Sequence, residues 1–320
     1  MPGEGHMLSE PDIAVIIPCL NEEASIAKVI GDFQQQLPAA DIWVFDNDST
    51  DKTALIATQA GAIVVEEKRR GKGHVVRSMF RTVDSDIYVL VDGDDTYPAD
   101  RVHQLLEPVL DNRADVVVGT RLTGEAHSDF NRLNRFGNQL FAFLLNRIFG
   151  TNLTDILSGY RIMNRDFVKN VPVLSTGFEI ETELTIQALE KGYRVTEIPI
   201  ELRKRSPESK SKIRVFRDGF RILATIFLLF RDYKPLTFFG MIGIVLILCG
   251  LIPGGMVIGE YLRTGLVLRM PSALLAVGLV LSGTVSLTVG IVLNAIHRRF
   301  LEIEYRLHML SQGRDPGTLS

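Results

Sequence analysis

The chain has 320 residues, with 35 Lys and Arg against 38 Asp and Glu and a net charge of −3. Length allows one large domain or two, and the balanced charge excludes the basic footprint of a nucleic-acid binder. Cys19 and Cys249 give neither a disulfide framework nor metal-site spacing, and both fit a reducing compartment as small apolar residues.

In chain order, the N-terminal MPGEGHMLSEPD lacks the apolar stretch of a signal peptide. From residue 13 to 121, short apolar runs alternate with helix-like segments. The runs are IAVIIPCL (13–20), DIWVFDND (41–48), AIVVEE (62–67), DIYVLVD (86–92) and DVVVGT (115–120). Val and Ile dominate them, as in strands buried on both faces of a mostly parallel sheet. Asn21 precedes a helix expected to reach Leu37. Thr50 or Asp51 can cap the next helix, and Pro98 lies at the start of another. This alternation predicts an open α/β sheet. Segments 131–149 and 177–191 read as helices, and 194–204 as extended. The segment RSPESKSKIR reads as a basic loop. Lys212 to Phe230 places Phe216, Phe220, Leu223, Phe227 and Phe230 at helical spacing, with Arg214, Arg217 and Arg221 interleaved. That pattern fits a helix on a membrane surface; an ordinary amphipathic packing helix is the alternative.

Two long uncharged runs follow. Leu236 to Gly259 and Ser272 to Ile296 are each roughly 24 residues, enough for a membrane span. Gly and Pro within them are compatible with spans. Arg221, Arg231 and Lys234 precede the first run, and Arg298, Arg299 and Arg306 follow the second. The connector has Arg263 and Arg269 against Glu260. This bias favours both termini in the cytoplasm and a short external hairpin.

In open α/β sheets ligands bind beyond the carboxyl ends of the strands. Asn21 and Glu22, then Asp46, Asn47 and Asp48, then Asp92, Asp94 and Asp95, and then Arg121 all collect there. Side chains at i and i+2 of a strand share a face, so Asp92 and Asp94 are expected to face one cation. Gly93 between them would let a ligand approach the backbone. Hard oxygen ligands suit Mg²⁺ or Mn²⁺, which keep positions open for substrate phosphates. Asp95 reads as a cap or a supporting group.

The ordered set VIIPCLNEE (15–23), VFDNDSTDKT (44–53), RGKG (70–73), VDGDDTYP (91–98), GTR (119–121) and SGYR (158–161) resembles inverting glycosyltransferases of family 2. It is most similar to the polyprenyl-phosphate glycosyltransferases, the group with dolichyl-phosphate mannose synthases and undecaprenyl-phosphate glycosyltransferases. The resemblance covers residues 12 to about 230, and the two spans resemble those of two-span members of that group. It implies a cytoplasmic GT-A catalytic domain over 1–212 and an interfacial helix over 213–234. A transmembrane hairpin over 235–298 and a cytoplasmic tail over 299–320 would follow.

By the same resemblance, Pro18, Leu20, Asn21 and Glu22 would line the nucleoside pocket, and Asp46 and Asp48 would hold base and ribose. Lys72, Asp92 and Gly93 would meet the nucleotide sugar, and Asp92 and Asp94 the metal. Arg121, Arg135, Arg205 and Lys212 would receive the acceptor phosphate. Asp94, Asp155 and Arg121 are the implied catalytic set. Two departures stand out: Asn47 replaces a frequent acidic residue, and Thr96 stands where many lipid-phosphate members have Gln.

The expected reaction moves one hexose from a nucleotide sugar, with a UDP-sugar favoured, to a polyprenyl phosphate at the cytoplasmic membrane face. It would invert the anomeric centre and need Mg²⁺ or Mn²⁺. A hydroxyl acceptor needs a carboxylate base, for which Asp155 and Glu181 are candidates. Asp155 reads equally as a cap, and Glu181, flanked by Glu179 and Glu183, as part of a solvated helix face. A lipid monophosphate is already ionised and needs positioning by Arg and Lys. The alternatives are a family 2 enzyme with a hydroxyl acceptor and a non-catalytic nucleotide-sugar-binding scaffold. The expected partners are the donor, the acceptor and the bilayer, with a homo-oligomer left open and no nucleic acid.

Overall fold

The structure, a computed structural model, describes residues 11–123, 132–177, 179–203 and 215–312. The chain divides into two compact units, Met1–Ile226 and Phe227–Ser320.

The first unit begins with β1 (Ile13–Cys19), α1 (Ile26–Gln36), β2 (Asp41–Asp46), α2 (Thr53–Gln59), β3 (Ile63–Glu66), α3 (Lys72–Thr82) and β4 (Ile87–Leu90). Then come α4 (Val102–Leu110), β5 (Val116–Thr123), α5 (Arg132–Phe149), β6 (Arg161–Asn164), α6 (Arg165–Asn170), α7 (Ile180–Glu190) and β7 (Val195–Glu201). The strands form one seven-stranded sheet in the order β3-β2-β1-β4-β6-β5-β7. Pairing is parallel except at β6, which runs antiparallel to both β4 and β5.

Both faces of the sheet are covered, as the Val- and Ile-rich runs require. β4 shows how. Ile87 and Val89 join a core with Ile26, Phe33 and Leu105. Tyr88 and Leu90, pointing the other way, join one with Val76, Met79 and Phe167. Strand alternation thus places one side chain in each layer in turn.

Three expectations change. α1 starts only at Ile26, because a turn intervenes in which Ser25 and Ile26 donate their N–H groups to Glu22 O. α7 is no solvated face: every residue from Ile180 to Ala188 is buried. β4 ends at Leu90, so Asp92 and Asp94 lie in the following turn and pleat alternation does not aim them.

Helix α8 (Val215–Tyr233) begins in the first unit and ends in the second. The second unit continues with α9 (Pro235–Thr264) and α10 (Met270–Gln312). The apolar parts of these two helices reach mean hydropathies of 2.5 and 2.1, and only 17% of each most apolar stretch is buried. A soluble core helix would be mostly covered, so this exposure supports the membrane reading. Glycines let the two backbones approach: a Cβ at Gly283 would lie 2.7 Å from Gly243 O, and one at Gly250 2.9 Å from Ala276 O. Ser286 Oγ donates to Phe239 O at 2.9 Å. Small residues and an interhelical hydrogen bond are how apolar helices associate in lipid. α10 runs on as helix to Gln312, through part of the expected tail.

Candidate active site

The site assembles at the carboxyl ends of β1, β2, β4 and β5. Three non-glycine residues there adopt a left-handed backbone: Asn21 (φ 52°), Asp48 (φ 61°) and Asp95 (φ 58°). Such conformations are sparsely populated and cluster at binding sites. Each is held by side-chain bonds. Asn21 Oδ1 accepts from Thr50 N at 2.8 Å, and Asn21 N donates to Ser49 Oγ at 2.9 Å. Asp48 accepts from Arg70 Nε at 2.9 Å. Asp95 takes Lys28 Nζ at 2.7 Å and Arg203 Nη1 at 3.1 Å. Asp95 is therefore an anchor for two cations.

Pro18 and Leu20 flank the buried Cys19 at the end of β1, each half-buried. Glu22 is buried, and its N–H donates to Thr53 Oγ1 at 2.8 Å. At the end of β2, Asp46 Oδ2 accepts from Ser49 N at 3.2 Å, while Oδ1 is buried without a hydrogen bond. A buried carboxylate oxygen left unpaired costs free energy until something donates to it. Asp46 thus leaves one acceptor unsatisfied at the carboxyl end of β2. Asn47 does different work. Its Nδ2 donates to Glu67 O at 2.9 Å and Arg69 O at 2.8 Å, and its Oδ1 accepts from Gly71 N at 2.8 Å. The amide organises the loop before α3.

That loop delivers Lys72. A Cβ at Gly71 would run into Thr176 O, and one at Gly73 into Ser175 O. The two glycines let the start of α3 press against the 175–176 backbone. Glu183 in α7 fixes that backbone by accepting from Leu174 N at 2.8 Å and Ser175 N at 2.7 Å. Lys72 Nζ then sits 2.6 Å from Asp92 Oδ1 and 2.6 Å from Glu181 Oε1. Burial disfavours the ammonium, but the charges of Asp92 and Glu181 outweigh this and hold its pKa above the ordinary value.

Asp94 is buried and accepts from Thr96 N at 3.1 Å. On its Cβ side Gly93 packs against β1, where a Cβ would lie 2.7 Å from Cys19 Sγ. The glycine thus permits a close approach to β1. Thr96 Oγ1 is buried and without a hydrogen bond. Among the described residues no group of three or more His, Cys, Asp or Glu is arranged to hold a metal. Asp92 and Asp94 supply carboxylate oxygens, an all-oxygen donor set. It fits Mg²⁺ or Mn²⁺, which take one or two protein carboxylates and fill their remaining positions from phosphate and water.

Arg121 in β5 grips Asp155 with a fork. Its Nε lies 2.8 Å from Oδ2 and its Nη2 2.8 Å from Oδ1, and its backbone N–H adds a third bond at 3.0 Å. Leu157 N also donates to Oδ1 at 3.2 Å. The Asp155 side chain is 1% exposed and that of Arg121 16%. Burial would raise the Asp155 pKa, but the charge and hydrogen bonds of Arg121 bring it below the ordinary carboxylate range. A carboxylate with both oxygens engaged and its acidity increased is a poor proton acceptor. The pairing holds Arg121 in place, and it weighs against a base at Asp155.

The side chains of Arg135, Arg205 and Lys212 lie outside the described residues. Sequence reasoning passed over Glu197 in β7, whose carboxylate accepts from Thr154 N at 2.9 Å and Asp155 N at 3.0 Å. It also passed over Tyr97, whose hydroxyl accepts from Gly159 N at 2.9 Å, and Arg161, the last residue of SGYR. The signal for Arg161 was an arginine leading into an apolar run, RIM, at 161–163.

The parallel sheet with its antiparallel β6, and carboxylates gathered at its strand ends, define a GT-A-type α/β fold. Among solved structures, glucosyl-3-phosphoglycerate synthase from Mycobacterium tuberculosis with Mn²⁺, UDP-glucose and phosphoglyceric acid is similar in fold. Its TM-score is 0.58 at 23% identity, covering 69% of this chain and 80% of that one. The model of the family described as Glycosyl transferase family 2 matches residues 14–171. Glycosyltransferase AglJ of Haloferax volcanii is 34% identical over 235 residues, 73% of this chain and 77% of that protein. Dolichyl-phosphate hexose transferase of the same organism is 34% identical over 200 residues, 62% of this chain and 86% of its own. The chain belongs to glycosyl transferase family 2.

Proposed function

We propose that this glycosyltransferase moves a single hexose from a nucleotide sugar, preferentially a UDP-sugar, to a polyprenyl phosphate at the cytoplasmic face of a membrane, with inversion. The observation that carries the reading is that both buried carboxylates suited to be a base are already paired with cations. Asp155 is bound by Arg121, and Glu181 by Lys72. A hydroxyl acceptor would have to lose a proton to one of them. A phosphate monoester is largely ionised at neutral pH, with its second pKa at about 6, and attacks without that help. One phosphate oxygen forms the new bond to the anomeric carbon. The bond from that carbon to the nucleoside diphosphate breaks, and the diphosphate leaves with the electron pair.

Arg121 would hold the acceptor phosphate, since guanidinium geometry suits such oxygens. Arg135, Arg205 and Lys212 are proposed to assist it. The unpaired oxygen of Asp46, with Asp48 and the residues Pro18 to Glu22, would take the nucleoside. Asp92 and Asp94 would hold a divalent cation, Mg²⁺ or Mn²⁺, which when bound offsets the charge of the departing diphosphate. Lys72 would add a positive charge on the same side. A dolichyl-phosphate hexose transferase among the relatives supports a lipid phosphate acceptor. A UDP-glucose complex among proteins of the same fold supports the donor class.

The hairpin α9–α10 is proposed to anchor the enzyme, and α8 to lie at the interface, where Phe220 and Phe227 are exposed. Both termini would be cytoplasmic. Offering polyprenyl phosphate and the corresponding polyprenol in parallel tests the acceptor. Product from the phosphate alone is the expected result, and equal product from the alcohol overturns the reading.

A further inference from the structure

Arg161, the first residue of β6, is completely buried. Among the described residues it has no ion-pair partner. Its guanidinium meets neutral acceptors on two separate elements. Nε donates to Ser158 O at 3.0 Å, and Nη2 donates to Ile156 O at 3.1 Å and to Glu181 O at 2.8 Å. Nη1 donates to Thr185 Oγ1 at 2.9 Å. A buried charge hydrogen-bonded only to neutral groups is costly, and an apolar side chain would fill a core position at less cost.

The two elements it joins lead to the two halves of the site. Segment 155–159 carries Asp155, the partner of Arg121. Its Ser158 Oγ donates to Gly119 O at 2.5 Å, two residues before Arg121. Its Gly159 packs on Asp92, where a Cβ would lie 2.6 Å from Oδ2. The first turn of α7 carries Glu181, the partner of Lys72. The negative charges of Glu181 and Asp155 both act on the Arg161 guanidinium.

We propose that Arg161 is a positioning residue that fixes the Arg121–Asp155 pair in register with the Lys72–Glu181 pair. It touches neither substrate. Its fork spans both elements at once, which a lysine ammonium does not reproduce. Register matters because a misplacement of about 1 Å can cost about 100-fold in rate. Assigning one pair to the acceptor and the other to the donor rests on the proposed function.

Two readouts on the full-length protein in detergent test the proposal, using Arg161→Lys and the milder Thr185→Val. The first is amide hydrogen exchange without substrate. Exchange is expected to rise together in segment 155–159 and in the first turn of α7, with β1, β2 and β4 still protected. Unchanged exchange, or a rise throughout the sheet, overturns the proposal. Thr185→Val removes one acceptor and decides the matter if Arg161→Lys does not fold. The second readout is the ratio of lipid-linked sugar to total nucleotide released. Loss of register lowers this ratio, by about tenfold if a modest fraction of the 1 Å penalty applies. A purely structural role lowers both quantities in proportion, and that result also overturns the proposal. If the wild-type protein yields no lipid product, the proposed function fails, while the exchange readout still decides the role of Arg161.

Discussion

Asp155 gives Arg121 a fixed, buried partner, and replacing it by Asn tests directly whether the arginine needs one. Removing one member of a buried pair leaves the other uncompensated, at a cost on the order of 3 kcal/mol. Asp155→Asn is expected to unfold at lower denaturant and to lose about 100-fold in transfer, with little change in nucleotide affinity by calorimetry. Loss of nucleotide affinity in step with transfer would contradict the assignment of Arg121 to the acceptor. The pair also sets a pH dependence. The folded carboxyl of Asp155 titrates below its unfolded value of about 3.9, so between those values the unfolded chain binds more protons. The stabilisation is complete above pH about 4 and is lost as pH falls through the folded value. Glu67, hydrogen-bonded by Arg69 and held at about 2, acts in the same direction. Asp155→Asn should therefore flatten, without abolishing, the fall in stability below pH about 4. An unchanged slope on acid titration of the unfolding midpoint would count against the pair.

At the scale of elements, the contact between α3 and the loop before α7 brings Lys72 to its carboxylates. Gly73→Ala puts a methyl group against Ser175 O. It should weaken donor binding and lower the melting temperature together; wild-type nucleotide affinity would show that this contact does not place Lys72. In the hairpin, Gly283→Leu should separate α9 from α10, because Gly243 O and Ile247 lie against that position. An unaltered melting profile in detergent would show that the close approach is dispensable. Much of this architecture was legible in the sequence. β1, β2, β4 and β5 announced themselves as Val- and Ile-rich runs because both faces of the sheet are buried there, and the edge strand β3 showed the same run while half-exposed. β6 did not, since a four-residue strand that opens on a buried arginine shows no period. Asp46, Asp92 and Asp94 were legible as acids at or just beyond strand ends. Their partners were less so, because Lys72–Glu181 and Arg121–Asp155 are joined by the fold and not by spacing. The strand-face rationale for Asp92 and Asp94 was mistaken, because the pleat stops before them.

At the scale of the whole molecule, the proposed function requires a water-soluble donor and a lipid acceptor to meet at one site. α10 extends over 43 residues, about 65 Å at 1.5 Å per residue, well beyond a hydrocarbon core of about 30 Å. A span through α10, as proposed, would therefore leave its second half outside the bilayer. With a cytoplasmic catalytic domain, a cysteine-reactive probe that cannot cross membranes should label a cysteine placed at Gly265 from outside intact cells. One placed at Ser311 should not be labelled. The reverse pattern would invert the proposed topology. The most direct test of the central claim is a donor screen on the full-length protein with polyprenyl phosphate and Mg²⁺ or Mn²⁺. UDP-glucose, UDP-N-acetylglucosamine and GDP-mannose would be supplied in turn, counting sugar in the organic phase and nucleotide released, with Asp94→Asn as control. The account predicts metal-dependent labelling of the lipid from one donor, a UDP-sugar, and its loss in the control. Nucleotide release with no labelled lipid, or silence with every donor despite binding, would contradict it.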